Sequence, residues 1–303
     1  MTPAAGGTEV TVGERTLRLS NLDKVLWPET GFTKGQLIDY YARIAPVMVP
    51  HLQGRPITLR RWPNGVEAAS FFEKNCPSHR PPWVDAVRMG EVNYCLLNES
   101  ATLVWVANLA AIELHPSLAT AADLESPTTV VFDLDPGPPA DILTCARVAL
   151  LVRQVLDRLG LRLWPKTSGS KGLQLYLPLN SGATYAQTKP FAHALARLLE
   201  REHPDLVVSV MERSKRPEKV LIDWSQNTAS KTTVAVYSVR ALPQPSVSTP
   251  VTWDELDDAL AADDAGALRF DPNQVLERIG RVGDLHQPVI ELAQELPRLD
   301  GMA

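Results

Sequence analysis

The sequence predicts a mixed α/β fold, of the α+β kind, in which helices back a sheet. The first observation is an apolar run at 128–136 that is rich in β-branched residues and ends in a Pro/Gly turn. The second is a helical pattern over 140–159, and the third is the order β-α-β-α-β-β that follows from there. This order of elements indicates a sheet with helices packed against it.

The N-terminal half begins with a helix and a strand. Thr33 is placed as the N-cap of a helical pattern over 37–48, and Pro46 is expected to bend or end that helix. A strand is predicted at 56–62, followed by a turn. Residues 101–114 are apolar and rich in alanine, and this composition predicts a buried helix.

The second half supplies the sheet and the C-terminal helices. Residue Gly160 follows the helix at 140–159 and is expected to lie just past its C-terminal end. The remaining predicted elements are a strand at 173–179, a helix at 187–201, strands at 207–211, 219–224 and 234–239, a linker at 243–250, and two short helical patterns within the acidic segment 252–303.

Composition excludes several classes of protein. The 303 residues are 45% hydrophobic, which suffices for a full core, and the net charge of −5 argues against a generally basic nucleic-acid binder while allowing a local basic groove. No apolar run of about 18 residues and no signal-peptide pattern is present, so we expect a cytoplasmic protein without membrane contact. Cys76, Cys95 and Cys145 are odd in number and far apart, which predicts reduced thiols rather than a disulfide framework.

Three acidic residues are the strongest chemical signal. Asp133 and Asp135 stand at positions i and i+2 of a strand, so their side chains share one face. Asp223 ends another apolar strand. Three such carboxylates suit two divalent cations in phosphoryl or nucleotidyl transfer. The alternatives are turn and cap roles for the first two aspartates and a buried arginine partner for Asp223.

Basic residues and small loops lie near these acids in the sequence. The Gly/Ser segment 166–172 has two lysines and suits phosphate oxygens, although it lacks the ending of a Walker A motif. Arg213, Lys215, Arg216 and Lys219 form a basic cluster that a solvated loop explains equally well. His115 is a candidate for contact with a phosphate or ribose, or else a structural histidine.

Several separated segments resemble the polymerase domain of bacterial ligase D, a member of the archaeo-eukaryotic primase superfamily that acts in nonhomologous end joining. The resemblance covers residues 15–285. The matching segments are Asn21–Leu26, Arg61–Val66, Phe71–Lys74, Val131–Pro136, Thr167–Leu173, Ile222–Asn227 and Ser230–Thr233.

The resemblance implies a primase-polymerase fold with an RRM-like catalytic sheet and a packed N-terminal module. We therefore expect a flexible N-terminus at 1–14 and a catalytic domain at 15–285, with the N-terminal module at about 15–125 and the catalytic sheet at about 126–242. A linker and C-terminal helices that pack on the domain would occupy 243–303.

The resemblance also implies roles for individual residues. Asp133, Asp135 and Asp223 would hold two Mn²⁺ or Mg²⁺ ions and form the catalytic set. The phenylalanines 71 and 72 would stack on template bases, unless they belong to the core. The residues implied to face the incoming nucleotide are His115, Ser168, Lys171, Gln174, Lys231 and Arg240, and those implied to hold a DNA 5′-phosphate are Asn21, Lys24 and Lys34.

Two positions depart from the family pattern. Gln174 stands where the family has a histidine that contacts the triphosphate, and the segment after His115 lacks the usual aromatic residue. Strand alternation predicts that Gln174 points away from the leucines beside it, and the resemblance implies that this side faces the nucleotide. The alternative is an ordinary polar residue on a solvent-facing surface.

The acidic residues and the resemblance together predict a metal-dependent nucleotidyltransferase, and the resemblance implies that it adds nucleotides, with ribonucleotides favoured, to DNA 3′ ends during gap filling and end joining. Its expected partners are DNA with gaps, overhangs or breaks, NTP or dNTP, a DNA ligase and an end-binding Ku-type protein, in the bacterial cytoplasm near the nucleoid. Two alternatives are a catalytically weak module that bridges DNA ends through their 5′-phosphates and a metal-dependent nuclease.

Overall fold

The computed structural model describes residues 7–297. Its α-helices are α1 (Lys34–Leu52), α2 (Ser100–Asn108), α3 (Ile142–Arg158), α4 (Tyr185–Glu202), α5 (Trp253–Ala262), α6 (Pro272–Val282) and α7 (Pro288–Glu291). Its strands are β1 (Thr8–Val12), β2 (Arg15–Leu19), β3 (Val25–Trp27), β4 (Phe32–Thr33), β5 (Pro56–Arg61), β6 (Phe71–Glu73), β7 (Ala86–Met89), β8 (Val92–Leu96), β9 (Ala111–Pro116), β10 (Ala119–Thr120), β11 (Asp123–Pro127), β12 (Thr129–Pro136), β13 (Trp164–Thr167), β14 (Leu173–Pro178), β15 (Val207–Val208), β16 (Val220–Asp223), β17 (Val239–Arg240) and β18 (Ser246–Val247).

The central sheet has five strands in the order β13-β14-β12-β16-β15. All neighbours are antiparallel except β15 and β16, which are parallel. Side chains alternate along β12, so Val130, Phe132 and Leu134 join a core with α3 and α4 while Asp133 lies on the other face. The predicted mixed α/β class, with helices packed on a sheet, is confirmed.

A second sheet forms around β5. This strand pairs antiparallel with β6, β8 and β9, and β8 also pairs with β7. Helices α1 and α2 pack together beside this sheet, and their core takes in Tyr237, Val239 and Val247 from the C-terminal part of the chain. The N-terminal sheet therefore shares its core with the segment that follows the central sheet.

Helix α1 begins as the sequence predicted, but it extends past the proline that was expected to bend or end it. Thr33 caps the helix: its hydroxyl accepts from the Gln36 backbone N–H at 3.2 Å, and the Gln36 side chain accepts from the Thr33 N–H at 2.8 Å. The helix continues through Pro46 and Pro50 to Leu52, so Pro46 does not end it. Burial of its apolar face compensates for the backbone hydrogen bonds that the prolines remove.

The predicted helix over 101–114 is wrong in its second half. Helix α2 ends at Asn108, Ala110 adopts a left-handed φ of 57°, and β9 begins at Ala111. In β9 the apolar Ile112 and Leu114 alternate with polar residues, which is the pattern of a strand. Pairing with β5 overrides the helical preference of the preceding alanine-rich run.

The segment 234–250 also differs from expectation. The predicted strand at 234–239 is a buried irregular segment in which Tyr237 has φ 65°, and regular pairing there is limited to β17 with β18. The predicted linker is wrong over residues 246–250, which are buried. Ser248 exchanges backbone hydrogen bonds with this irregular segment, because its N–H donates to Ser238 at 3.0 Å and its carbonyl accepts from Tyr237 at 2.7 Å.

Two further expectations are corrected at the N-terminus and at the cysteines. Residues 8–12 form a hairpin with β2, so the expected flexible N-terminus is wrong for them, and residues 1–6 lie outside the described part. Cys76 and Cys95 form a disulfide, although the sequence predicted reduced thiols. The Cys76 N–H donates to the Asn93 carbonyl at 2.6 Å, which brings the two distant segments together. Cys145 is free and buried.

Within residues 7–297, no helix is both long enough and apolar enough to cross a lipid bilayer.

One side chain takes the place of a strand partner beneath the acidic residues. Strand β16 pairs with β12 only as far as Asp223, where the chain turns away. The buried Asn227 amide then accepts from the Val131 N–H at 2.9 Å and donates to the Val131 carbonyl at 2.8 Å. Asn227 thus completes the hydrogen bonding of β12 next to Asp133.

We predict that Asn227→Ala lowers the free energy of unfolding by about 2–4 kcal/mol, because it leaves two buried backbone groups unpaired at about 1–3 kcal/mol each. Urea denaturation would measure the change. Asn273→Ala is the control, since Asn273 is exposed and should change stability by less than about 0.5 kcal/mol. Equal stabilities of the two variants would contradict this role of Asn227.

Candidate active site

The three predicted acidic residues come together on one face of the central sheet. The register of β12 and β16 places Asp133 directly opposite Asp223, and Asp135 follows two residues along on the same face. Burial, together with the charge of Asp135, raises the pKa of Asp133 to about 7. Burial and the charge of Asp223 raise the pKa of Asp135. A cation bound here would relieve this mutual repulsion.

The chemistry of this site suits a hard divalent cation. Carboxylate oxygens are the ligands that Mg²⁺ and Mn²⁺ prefer. The Asp223 carboxylate accepts from the Ser225 N–H at 2.9 Å, the Ser225 hydroxyl at 2.5 Å and the Gln226 amide at 3.0 Å. In residues 7–297, no three histidine, cysteine or acidic side chains already stand at metal-ligand spacing. A metal would therefore compete with these hydrogen bonds for the oxygens of Asp223.

A row of polar side chains continues from Asp133 across the sheet. Gln174 is the register partner of both Asp133 and Lys166. The Gln174 amide donates to Asp133 Oδ1 at 3.2 Å, and its oxygen accepts from Lys166 Nζ at 2.6 Å. Gln174 is 4% exposed, which excludes the solvent-facing alternative. It points away from the neighbouring leucines, as strand alternation predicted, and both ends of its amide have protein partners, Asp133 and Lys166.

Lys166 occupies a different place from the one its sequence context suggested. The sequence grouped it with a phosphate-binding loop, whereas the structure buries it completely in β13. Its ammonium group also donates to Ser248 Oγ at 2.5 Å. Burial lowers the pKa of Lys166 well below its ordinary value, although the charge of Asp133 acts to raise that pKa. Sequence reasoning missed Ser248, which lies in the segment predicted as a linker.

The Gly/Ser loop after β13 packs tightly against its neighbours. Ser168 Oγ accepts from the N–H groups of Ser170 and Gly172, both at 3.2 Å. A Cβ on Gly172 would lie 2.0 Å from the Leu134 carbonyl oxygen, and Gly169 has φ 67°. Gly172 lets the loop approach the end of β12, Gly169 lets it approach Arg240 and Ser248, and Lys171 is exposed at its tip.

Glu113 is a buried carboxylate that several basic side chains contact. Sequence reasoning missed it. Its carboxylate accepts from Arg240 at 3.1 Å, from Arg60 at 3.4 Å and from the Ala241 N–H at 3.3 Å, and it hydrogen-bonds His115 at 3.0 Å. Burial alone would raise the pKa of Glu113, but the bond to His115 and the charge of Arg240 lower it to about 2. The alternation within 111–116 was the signal that could have identified it.

Arg240 and Lys231 approach the site from the segment after β16. Arg240 also donates to the Ser168 carbonyl at 2.9 Å, and thus joins Glu113 to the Gly/Ser loop. Lys231 Nζ donates to the Ser225 hydroxyl and lies 4.0 Å from Asp223 Oδ2. Burial lowers the pKa of His115, which favours a neutral imidazole beside these cations. The structure therefore places Lys231 beside Asp223, while His115 and Arg240 meet at Glu113.

The two adjacent phenylalanines are exposed. Phe71 is 44% and Phe72 is 59% exposed, which excludes the alternative that they belong to the core. The guanidinium groups of Arg61 and Arg60 stand 5.3 Å and 5.0 Å from their respective ring centres. The Phe72 ring also borders a cleft of about 290 Å³ whose other side includes Lys231. The pair can therefore offer aromatic faces to a base.

Of the three residues expected to hold a 5′-phosphate, Lys34 begins α1, and Asn21 and Lys24 lie in the loop between β2 and β3. Lys34 Nζ donates to the Ser20 carbonyl at 2.6 Å, and exposed Lys24 donates to Asn64 Oδ1 at 3.2 Å. Burial lowers the pKa of Lys34 to about 8, and the positive charges of Lys24 and Arg61 contribute to this shift. Asn21 adopts φ 54° in a turn that the Lys24 N–H closes on its carbonyl at 3.1 Å.

Comparisons with known proteins identify the family of this chain. The family model of the LigD primase-polymerase domain matches residues 33–286. The chain is 43% identical over 279 residues, 90% of its length, to the multifunctional non-homologous end joining protein LigD of Mycolicibacterium smegmatis, and 31% identical over 268 residues, 88% of its length, to the bifunctional LigD of Bacillus subtilis. It spans 36% and 43% of the lengths of these two proteins.

A solved structure has the same fold. The polymerase domain of Mycobacterium tuberculosis ligase D in complex with DNA superposes with a TM-score of 0.84 at 40% identity, covering 92% of this chain and 99% of that domain. The identity and coverage confirm the resemblance inferred from the separated motifs. The chain belongs to the LigD primase-polymerase domain family.

Proposed function

We propose that this chain is a DNA-end primase-polymerase that adds nucleotides to DNA 3′ ends during gap filling and nonhomologous end joining. The observation that carries the proposal is the position of Asp133 opposite Asp223, with Asp135 on the same face. Residues 15–285 would form the catalytic domain. A DNA ligase and a Ku-type protein would be its partners, because the relatives named above are end-joining proteins.

The acidic residues would hold two Mn²⁺ or Mg²⁺ ions. Such ions lower the pKa of an attacking hydroxyl and stabilise the leaving pyrophosphate. Asp133 and Asp135 would bind from β12, and Asp223 would bind from β16. The Ser225 and Gln226 donors fix the orientation of the Asp223 carboxylate before a metal arrives.

The basic side chains would orient the triphosphate. Lys231, which lies 4.0 Å from Asp223, and Lys171, exposed at the tip of the Gly/Ser loop, would supply ammonium groups, and Ser168 lies in the same loop. Glu113 already holds the Arg240 side chain in place. Binding would therefore cost less conformational entropy than ordering a free side chain would. His115, neutral and bonded to Glu113, would contact the ribose or a phosphate.

A second candidate function is a module that bridges broken ends without adding nucleotides. The observation that favours it is the cluster of Lys24, Lys34 and Arg61, in which burial and the charges of the other two residues lower the pKa of Lys34. A nuclease is the third candidate, since acidic sites also support hydrolysis. Release of nucleotides from DNA without added NTP would favour the nuclease.

We predict that Asp223→Asn reduces primer extension with Mn²⁺ at least about 100-fold, because it removes a ligand charge while keeping the side-chain shape. Extension of a primer in gapped DNA measures the effect. Asp205→Asn is the control, since Asp205 is exposed and remote from the site, and it should extend primers like the wild type. Wild-type extension by Asp223→Asn would remove the two-metal assignment.

Ribonucleotides should be used more efficiently than deoxyribonucleotides. A polar contact to the 2′-hydroxyl, for which Ser168 and His115 are candidates, is lost with dNTP at a cost of about 1–3 kcal/mol. Single-nucleotide extension on gapped DNA, with kcat/KM measured for matched NTP and dNTP pairs, tests this preference. Equal efficiencies for the two sugars would contradict it.

The preference for a 5′-phosphate should depend on pH through Lys34. Its pKa of about 8 means that it is charged at pH 7 and loses its charge as the pH rises toward 9, while the phosphate stays doubly ionised. We therefore predict that the ratio of affinities for 5′-phosphate and 5′-hydroxyl gaps falls between pH 7 and 9. Binding of the two labelled DNAs at constant salt measures the ratio.

The matched controls for this pH dependence lie in the same helix. Lys34→Met should have a smaller ratio that changes little with pH, whereas Arg43→Met, on the exposed side of α1, should behave like the wild type. A wild-type ratio that is constant from pH 7 to 9, or a ratio of one, would exclude Lys34 from the phosphate site.

A further inference from the structure

A fully buried lysine lies next to the acidic site without a carboxylate partner. Lys166 is 0% exposed, and no acidic side chain in residues 7–297 lies within ion-pair distance of its Nζ. Its polar contacts are Gln174 Oε1 at 2.6 Å and Ser248 Oγ at 2.5 Å, and the Tyr176 ring centre is 5.4 Å away. Burying an amine with so few polar partners is costly, so a compensating role is expected.

The hydrogen-bond chemistry of this chain allows one arrangement. The Ser248 hydroxyl donates its proton to the Thr167 carbonyl at 2.8 Å, so toward Lys166 it can only accept. When Asp133 is ionised, as it would be as a cation ligand, its carboxylate only accepts, so the NH₂ group of Gln174 must face it and the amide oxygen must face Lys166. Lys166 must therefore donate two hydrogen bonds, one to Gln174 and one to Ser248. Both a neutral amine and an ammonium group can do so.

We propose that Lys166 is a positioning residue that acts through Gln174 on Asp133. Lys166 fixes the direction of the Gln174 amide, and the amide donates to Oδ1 and holds the carboxylate in one orientation. The other lone pairs of Asp133 stay available for a cation. This inference rests on the proposed function in that it takes Asp133 as a metal ligand, and it gives Gln174 a role other than direct contact with the triphosphate.

The exchange of the family's histidine for Gln174 fits this arrangement. A neutral imidazole has one donor and one acceptor nitrogen, as an amide has a donor and an acceptor end. Histidine at position 174 could therefore accept from Lys166 and donate to Asp133 as glutamine does. A leucine of similar size could do neither.

The test measures Mn²⁺ binding to the full chain, without nucleotide or DNA, from the electron paramagnetic resonance signal of free Mn²⁺. Lys166→Met and Gln174→Leu should each weaken binding about 10-fold or more, because partners that orient a metal ligand typically contribute 10–100-fold to affinity. The double variant should bind no more weakly than the weaker single variant, since both changes break one chain of contacts. Gln174→His should stay within about twofold of the wild type.

Steady-state extension with varied NTP separates positioning from triphosphate contact. The proposal expects a lower kcat and a nearly unchanged KM for NTP in Gln174→Leu at saturating Mn²⁺, whereas a lost triphosphate contact would raise that KM. Melting temperatures identify any variant that fails to fold. If Lys166→Met does not fold, Gln174→Leu and Gln174→His carry the test alone.

Wild-type Mn²⁺ affinity in Gln174→Leu, or an effect confined to the KM for NTP, would overturn the proposal. Multiplying effects of Lys166→Met and Gln174→Leu on Mn²⁺ binding would overturn it as well, because the two residues would then act independently. If the wild type bound Mn²⁺ as expected yet extended no primer, the proposed function would fail while the role of Lys166 would stand.

Discussion

The site is organised around one unfavourable interaction, the repulsion between carboxylates on adjacent strands. Side chains of directly opposed residues in an antiparallel pair lie about 5 Å apart, and like charges at that distance destabilise the sheet. Asp133 and Asp223 are such a pair, and Asp135 adds a third acidic group. A fold that keeps them must supply donors and cations around them.

The surrounding structure meets this requirement from both sides of the pair. On the β14 side, Gln174 donates to Asp133, and on the β16 side Ser225 and Gln226 donate to Asp223 while Lys231 stands nearby. These groups reduce the repulsion, but burial, together with the charge of Asp135, keeps the pKa of Asp133 raised to about 7. The residual repulsion is the physical reason to expect cations at this site.

A second buried carboxylate, Glu113, connects the two sheets. Arg240 bonds the Gly/Ser loop of the central sheet and the buried Glu113 of β9, and Glu113 in turn holds Arg60 on the strand that pairs with the exposed phenylalanines. Glu113 therefore holds β17 and the Gly/Ser loop against the sheet around β5.

Sequence patterns predicted the parts of this site that depend on local geometry. The alternation of β12 placed Asp133 and Asp135 on one face, and the Thr33 cap located the start of α1. Lys166 and Ser248 could not be found in this way, because their burial depends on the packing of a distant segment against β13. Glu113 was obscured because alanine-rich composition favoured a helix where pairing with β5 makes a strand.

The most direct test of the account is anomalous diffraction at the manganese absorption edge, from crystals of this chain grown with Mn²⁺ and a non-hydrolysable NTP. The account predicts manganese peaks between the carboxylates of Asp133, Asp135 and Asp223, with the triphosphate beside Lys231 and the Gly/Ser loop. Ordered nucleotide with no manganese at these carboxylates, or manganese bound only elsewhere, would contradict it.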